Sequence, residues 1–399
     1  MENWTLRTIL DQLAVTTATN GYNRKSKTPF ETVQYAIITA ELRRVDSIGY
    51  GLINIDNNKC YINAKLQALF YLKTFINAIK ADVVNHVPEC DCFVCIVHRI
   101  YLATRKAPQN VTKACKPKQL VKRIKDIFYR QNNFDSNKQQ DAHEFLINLN
   151  MAMQRTYTAK PTTLHVNPKA NGIYLGSFYT TIECPQTQYE KTFNTHDFGI
   201  LSLNINDENI NSVHEALDVY FEPNKLENTC TICNRDKYKT DQIGTAPEVI
   251  VLHLKRFEVD GSGKMTKNIA INDQLDLTKY ATPTCIDIFP SLRYRLISMV
   301  CHKGNDLDHG HYVTLVSKNS GNDDDPTNKS FYLFNDKQLS LIKNTERIVR
   351  DAYVLFYERI ECTNDGQTQA IPSNVNQVPL NAPNANPQPS TSTSAVAAA

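Results

Sequence analysis

No uninterrupted apolar run in this chain of 399 residues approaches the roughly 20 residues that span a bilayer. A membrane partner is therefore not expected. The first residues carry Glu2, Arg7 and Asp11 where a signal peptide would need an apolar core. An intracellular protein of the nucleus and/or cytoplasm is the expectation. The chain also lacks a charge surplus: 44 basic residues face 41 acidic ones, for a net charge of +3. No basic patch stands out, so nucleic acid is not an expected partner either. Nor is there an internal repeat of fixed period, which argues against a solenoid. A disulfide scaffold is missing as well, because the eleven cysteines are odd in number, dispersed, and partly grouped as Cys-x-x-Cys. That usage points to reduced thiols and metal ligands.

What is present suits a sizeable globular enzyme, with 41% hydrophobic and 21% charged residues. Trp4, Leu6, Ile9, Leu10 and Leu13 mark a short helix face in an accessory extension, residues 1–48. From Cys60 the spacing of Ile62, Leu66, Leu69 and Phe70 is helical, with no Gly or Pro before Lys80. Further helical blocks run from Leu120 to about Arg130 and from Asp141 to Gln154. Beyond residue 172 short runs rich in β-branched and aromatic residues predict strands. They lie at Tyr174 to Ile182, Gly199 to Ile205, Val249 to Phe257, Tyr294 to Val300, His311 to Val316, Phe331 to Phe334 and Tyr353 to Tyr357. Helices followed by strands predict an α+β fold in one large unit. Past Cys362 the composition falls to Asn, Pro, Gln, Ser, Thr and Ala, predicting a disordered tail over 361–399.

Cys60 stands at a loop-to-helix junction, where unpaired N–H groups and the helix dipole favour a thiolate. The asparagines before it, Asn54, Asn57 and Asn58, offer donors for an oxyanion. His311, beside Gly310 at a strand start, is placed to act as a base, and His309 and His302 compete for that role. Asn335 and Asp336 end an apolar run and could orient the base, although Asn-Asp is also a turn signal. A thiol with a distant histidine is the raw material of a cysteine hydrolase.

Several segments, in order, carry a resemblance to a known family. They are Gly51-Leu52-x-Asn54 through Cys60-Tyr61-Ile62-Asn63-Ala64-x-Leu66-Gln67, then Gln139-Gln140-Asp141-Ala142-His143-Glu144-Phe145-Leu146, then His253-Leu254-Lys255-Arg256-Phe257 after Pro247. Tyr294-x-Leu296, His302-x-Gly304, Gly310-His311-Tyr312, Phe334-Asn335-Asp336 and Ala352-Tyr353-x-Leu355-Phe356-Tyr357 follow. Over residues 49–360, bounds set by this likeness, the chain resembles the ubiquitin-specific proteases, papain-like deubiquitinases with a helical thumb, β fingers and a β palm. The resemblance implies Cys60 as nucleophile, His311 as base, Asn335 as its orienter with Asp336 in support, and Asn54 at the oxyanion. It places Gln140, Asp141 and Glu144 beside the groove for ubiquitin's C-terminal tail, whose arginines suit an acidic wall. Ubiquitin and ubiquitinated proteins are the implied partners, isopeptide hydrolysis the implied reaction, and no cofactor is required for it.

Two departures temper this. Five residues, 55–59, separate Asn54 from Cys60 where the family usually has four, and Lys59 replaces a small residue before the nucleophile. A ubiquitin-binding protein without turnover is thus the alternative, although Cys60, His311 and Asn335 are all present. The family's fingers zinc is also one ligand short. Cys230-x-x-Cys233 is a half-site, but its upstream partner reads Cys184-Pro185-Gln186-Thr187. Cys184, Cys230 and Cys233 could hold a structural zinc with His196 or another residue, or hold none. A second cluster, His86, Cys90, Cys92, Cys95 and His98, has the spacing of a metal knuckle. Because Cys92 and Cys95 would share a helix face with apolar neighbours, packing is the favoured reading there.

Overall fold

The computed structural model describes residues 48–360, apart from 85, 88, 106–113, 132–133, 160–171, 258–262, 290, 307–308, 320–328 and 344. The expected N-terminal helix and C-terminal tail lie outside the described residues. Helices come first: α1 (Cys60–Leu69), α2 (Lys73–Val83), α3 (Phe93–Arg105), α4 (Lys118–Lys122), α5 (Ile124–Ile127) and α6 (Ala142–Ala159). Every residue of α1 is buried, as befits a helix that carries apolar residues on all sides.

The unbroken helix expected up to Lys80 is interrupted at Phe70 to Leu72. No Gly or Pro causes the break. Leu72 adopts an extended backbone and is fully buried, while the Arg105 guanidinium donates to the Phe70 carbonyl at 3.1 Å. Tertiary packing overrides the local pattern here.

Strands dominate the rest: β1 (Gly176–Cys184), β2 (Thr187–Phe198), β3 (Leu201–Asn204), β4 (Asn224–Thr229), β5 (Asp236–Thr245), β6 (Val249–Lys255), β7 (Gln274–Asp276), β8 (Arg293–Lys303), β9 (His311–Asn319), β10 (Lys329–Asn335), β11 (Gln338–Ile342) and β12 (Ala352–Arg359). Three short helices, α7 (Val213–Phe221), α8 (Pro283–Ile288) and α9 (Glu346–Val349), lie among them. One sheet is a four-stranded antiparallel ribbon, ordered β2-β1-β5-β4. The other has the order β11-β10-β9-β8-β12-β6-β3, with β7 against β8. Of its pairings only β3 with β6 is parallel.

The middle strands of the larger sheet are buried on both faces, which is why β6 reads as a continuous apolar run rather than an alternating one. Val249 and Val251 join the core beneath the helices, whereas Ile250, Leu252 and Leu254 point into a second core on the far side. Helix α1 is bolted to the sheet by two hydroxyls. Thr314 Oγ1 donates to the Ala64 carbonyl at 2.6 Å, and Ser298 Oγ to the Ala68 carbonyl at 3.0 Å. Among the described residues no helix is long and apolar enough to cross a membrane.

Candidate active site

Cys60 opens α1 and is 1% exposed. The loop before it lies hard against the β10–β11 turn. A Cβ on Gly51 would fall 2.3 Å from the Asp336 carbonyl oxygen, so only glycine fits this approach. Leu52 N–H donates to that same carbonyl at 2.9 Å. Asp336 itself holds φ at +50°, a left-handed value that Asp tolerates better than most residues.

This close seam gathers the polar groups. His311 Nε2 meets Asn335 Oδ1 at 2.6 Å. Because a carbonyl oxygen only accepts, Nε2 carries the proton and Nδ1 keeps a free lone pair. The Asp336 carboxylate accepts from Asn54 Nδ2 at 3.0 Å and from Asn63 Nδ2 at 2.8 Å, and lies 3.8 Å from His311 Nε2. The next backbone N–H after the histidine, that of Tyr312, donates to the Cys60 thiol. Cys60, His311, Asn335, Asp336 and Asn54 are thus brought together. Asn63, one helical turn beyond Cys60, joins them without having been singled out from sequence. Its i, i+3 spacing from the nucleophile was the available signal.

The extra residue in the nucleophile loop is absorbed outward. Ile55–Asn57 form a single 3₁₀ turn in which Asp56 and Asn57 are exposed and both hold φ at 57°. Asn54 therefore still reaches inward, its Oδ1 accepting the Lys59 N–H at 2.7 Å. One expectation changes: the Cys60 thiol is pushed up rather than down. Burial is the main cause and the Asp336 charge adds to it, outweighing the N–H groups of Tyr312, Tyr61 and Cys60. That favours the protonated thiol at Cys60.

Gln140, Asp141 and Glu144 sit at the start of α6. Asp141 is first a structural residue. Its Oδ1 accepts the His143 N–H at 2.7 Å, and its Oδ2 accepts the Tyr353 hydroxyl at 2.7 Å. Gln140 Nε2 donates to the Asp135 carbonyl at 3.0 Å. Glu144 accepts from Gln131, and burial raises its carboxyl. Behind them the His143 and His253 rings stack at 3.9 Å. Burial holds both neutral, lowering His143 to about 4 and His253 to about 2. Lys65, also on α1, is fully buried with no hydrogen-bond partner for Nζ, and burial lowers it to about 7.

Of the other two histidines considered, His302 is buried and pushed down to about 4, chiefly by that burial, and its ring packs edge-on to Tyr312. His309 is exposed and pairs with Asp306 at 3.0 Å. Neither replaces His311.

Both cysteine clusters expected from the sequence converge. His86 Nδ1 lies 3.1 Å from Cys95 Sγ, 3.4 Å from Cys92 Sγ and 3.5 Å from Cys90 Sγ, and the four donor atoms fall within 4.8 Å of one another. Three thiols and an imidazole converging in this way fit a tetrahedral structural zinc. Cys92 precedes α3 instead of sharing its face with Cys95, yet all three cysteines also pack with Phe93 and Val97 in the core beneath the helices, so the cluster is both packed and arranged as metal ligands. His98 is not one of the four and stacks on Tyr101. The Cys92 thiol is drawn down to about 5, chiefly by hydrogen bonding from Cys95, whose own thiol is pushed up. In the four-stranded sheet Cys184, Cys230 and Cys233 also converge, with 3.5 Å between the Cys184 and Cys233 sulfurs. His196 is not among them and contacts Thr180. Three donors do not complete a structural zinc site.

A family model described as "Ubiquitin carboxyl-terminal hydrolase" matches residues 50–357. The chain belongs to this family. Ubiquitin carboxyl-terminal hydrolase 36 of Drosophila pseudoobscura pseudoobscura is 28% identical over 330 residues, covering 78% of this chain and 29% of the relative. The protein of that name from Drosophila melanogaster is 28% identical over 330 residues, with 78% and 30% covered. The chain thus spans about three-tenths of these relatives. Among solved structures, the Ubp8-containing SAGA DUB module bound to monoubiquitin superposes with a TM-score of 0.67 at 25% identity, covering 90% of this chain and 76% of that one. The module bound to ubiquitin aldehyde gives 0.67 at 24% identity, with 88% and 76% covered, a likeness of fold. The papain-like fold of this ubiquitin carboxyl-terminal hydrolase, with helical thumb, β fingers (β1, β2, β4, β5) and β palm, follows from these matches.

Proposed function

We propose that the chain is a thiol-dependent deubiquitinase that hydrolyses isopeptide bonds at the C-terminal glycine of ubiquitin. The observation that carries this reading is the assembly of Cys60, His311 and Asn335 around a single seam, with 2.6 Å between His311 and Asn335. His311 Nδ1 takes the Cys60 proton as the sulfur attacks the glycine carbonyl and the C–S bond forms. Collapse of the tetrahedral adduct breaks the C–N bond, and the imidazolium gives its proton to the departing lysine amine. Water then attacks the thioester, His311 takes a proton from it, and the C–S bond breaks to release the ubiquitin carboxylate. A thiol raised by burial makes His311 indispensable, because little thiolate exists without it. His311, Asn335, Asn54 and Asp336 are the proposed catalytic partners of Cys60. Gln140, Asp141 and Glu144 flank the tail groove in this reading.

Binding of ubiquitin without turnover is the second reading, favoured by the engagement of Asn54 Nδ2 with Asp336. That bond uses one of its two N–H groups and leaves the other for an oxyanion. A ubiquitin derivative with a C-terminal thiol-reactive group separates the two. An adduct on the wild type that vanishes in Cys60→Ala supports the enzyme. Ubiquitin binding with no adduct and no multiple turnover would replace it with the second reading.

The catalytic unit, in this proposal, is residues 49–360 between an accessory segment, 1–48, and a tail, 361–399. A reducing compartment, nucleus and/or cytoplasm, suits the ten free cysteines among the described residues. His86, Cys90, Cys92 and Cys95 would hold a structural zinc that ties the α2–α3 connection together and takes no part in the chemistry.

A further inference from the structure

Lysine is seldom buried, yet Lys59, next to the nucleophile, is 2% exposed. Its Nζ donates to the Ser136 carbonyl at 2.7 Å and to the Asn58 side-chain oxygen. Asn58 Nδ2 donates in turn to the Asn137 carbonyl. Two successive side chains of the nucleophile loop therefore grip one turn, 135–138. That turn is closed on itself, with Asn137 N–H on Asp135 Oδ1 at 2.8 Å and Lys138 N–H on the Asp135 carbonyl at 3.2 Å. Gln140 is tied to the same Asp135 carbonyl, and Asp141 beyond it accepts the His143 N–H at the start of α6. Burial lowers the Lys59 amine from its ordinary value, and the negative charges of Asp56 and Asp135 offset part of that.

We propose that Lys59 and Asn58 form a clamp that holds the wall 135–141 of the tail groove against the nucleophile loop before substrate arrives. Lys59 is thereby a positioning residue, and its kinetic consequence rests on the deubiquitinase reading. The loop has need of such a tie, since it bulges outward at Asp56 and Asn57. The main-chain N–H of Lys59 holds Asn54 whatever the side chain is, so a side-chain substitution tests the clamp and spares that bond. A groove wall ordered in advance lowers the cost of binding and leaves the bond-breaking step alone, so the effect belongs in KM.

The test uses the full chain as wild type, Lys59→Met, Lys59→Arg and Asn58→Ala. Hydrogen–deuterium exchange of the amides in 134–141 reads the wall directly. Hydrolysis of ubiquitin carrying a C-terminal aminocoumarin reads its consequence. Lys59→Met, which keeps the stem and loses the donor, is expected to speed exchange across 134–141. It should raise KM about tenfold, the size of one lost charge-assisted hydrogen bond, with kcat within about twofold of wild type. Lys59→Arg restores most of both, and Asn58→Ala moves both in the same direction by less. Unchanged exchange in Lys59→Met overturns the clamp. So does a fall in kcat at constant KM, which would mean that the ammonium acts on the Cys60 chemistry. Equal damage from Met and Arg would reduce Lys59 to core packing and overturn it too. If the wild type fails to turn over ubiquitin, the functional reading falls, while exchange still decides the clamp.

Discussion

Replacing Asp336 by Ala and by Asn should separate two jobs of one carboxylate. In the wild type it accepts amide bonds from Asn54 at 3.0 Å and Asn63 at 2.8 Å, with its side chain 16% exposed. Asp336→Ala strands both donors and places a β-carbon residue with no polar side chain at φ +50°. Each charge-assisted bond is worth about 1.5–3 kcal/mol, and water reaching this partly open turn recovers some of it. A net loss of about 3 kcal/mol of stability is expected for Ala, including roughly 1 kcal/mol for the left-handed backbone. Asn tolerates that backbone and keeps one acceptor, but its new NH₂ must face a donor. Asn54 cannot turn its amide over to meet it, because its oxygen is held by the Lys59 N–H. Asn63 can: its Oδ1 has no partner, and its second bond, to the Leu52 carbonyl, is a long 3.3 Å. Asp336→Asn should therefore cost only about 1 kcal/mol. With Asn54 held only through its oxygen by the Lys59 N–H, and with Asn54 as the proposed oxyanion donor, Asp336→Ala should lose up to about 10²-fold in kcat/KM, the usual size of a lost donor. Asp336→Asn should lose about tenfold, because Asn54 stays placed and only the charge near His311 disappears. Denaturant melts and hydrolysis of the ubiquitin–aminocoumarin substrate measure both. Equal activity in the two variants would refute the assignment of Asn54 positioning to Asp336.

Other outcomes follow from the same geometry. Metal analysis of the purified chain should find about one zinc, lost in Cys92→Ser with a lower melting temperature and retained in Cys230→Ser, since among the described residues only the His86, Cys90, Cys92 and Cys95 cluster offers four donors. His143 is held neutral by burial, lowered from 6.5 to about 4. Its unfolded form takes up a proton first, so stability falls as pH drops from about 6.5 toward 4 and levels off below. His143→Gln should flatten a melt-versus-pH curve in that window. The Lys65 amine is buried without a hydrogen-bond partner, over the Phe356 ring, and Lys65→Met should stabilise the fold by about 1–3 kcal/mol at neutral pH in a urea melt. Since burial lowers Lys65 to about 7, the wild type should gain stability from pH 7 toward 10 while the Met variant does not.

The parts of the fold that were legible in the sequence are those that bury apolar surface. Strands β6, β8, β9 and β12 were each anticipated because their residues fill two cores, and β10 because Phe331 and Leu333 pack against one of them. The fingers were mostly not. Thr187–Phe198, Asn224–Thr229 and Asp236–Thr245 are polar strands with water near both faces, so neither alternation nor an apolar run betrays them. Helix α6 was legible at its start but was read five residues short, to Gln154 instead of Ala159, whereas Leu120 to Arg130 split into α4 and α5 at Arg123. At the site, residue identities were readable from the ordered motifs, but their electrostatics were not. A helix start argued for a lowered Cys60, and only the packed structure shows burial prevailing. Likewise the spacing of Cys90, Cys92 and Cys95 fitted a packed helix as well as a metal knuckle until the turn before α3 was seen to fold around His86.

The two hydroxyls that bolt α1 to the sheet join residues 230 and 250 positions apart in the chain. The sulfur therefore emerges from a ribosome long before the strands that must meet it. For as long as β9 and β10 are unmade, Cys60 has neither His311 nor Asn335 beside it. Synthesis order thus acts as a timer: if the chain is the proposed hydrolase, its thiol is chemically unassisted throughout elongation, and competence arrives only when the last strands close over the first helix.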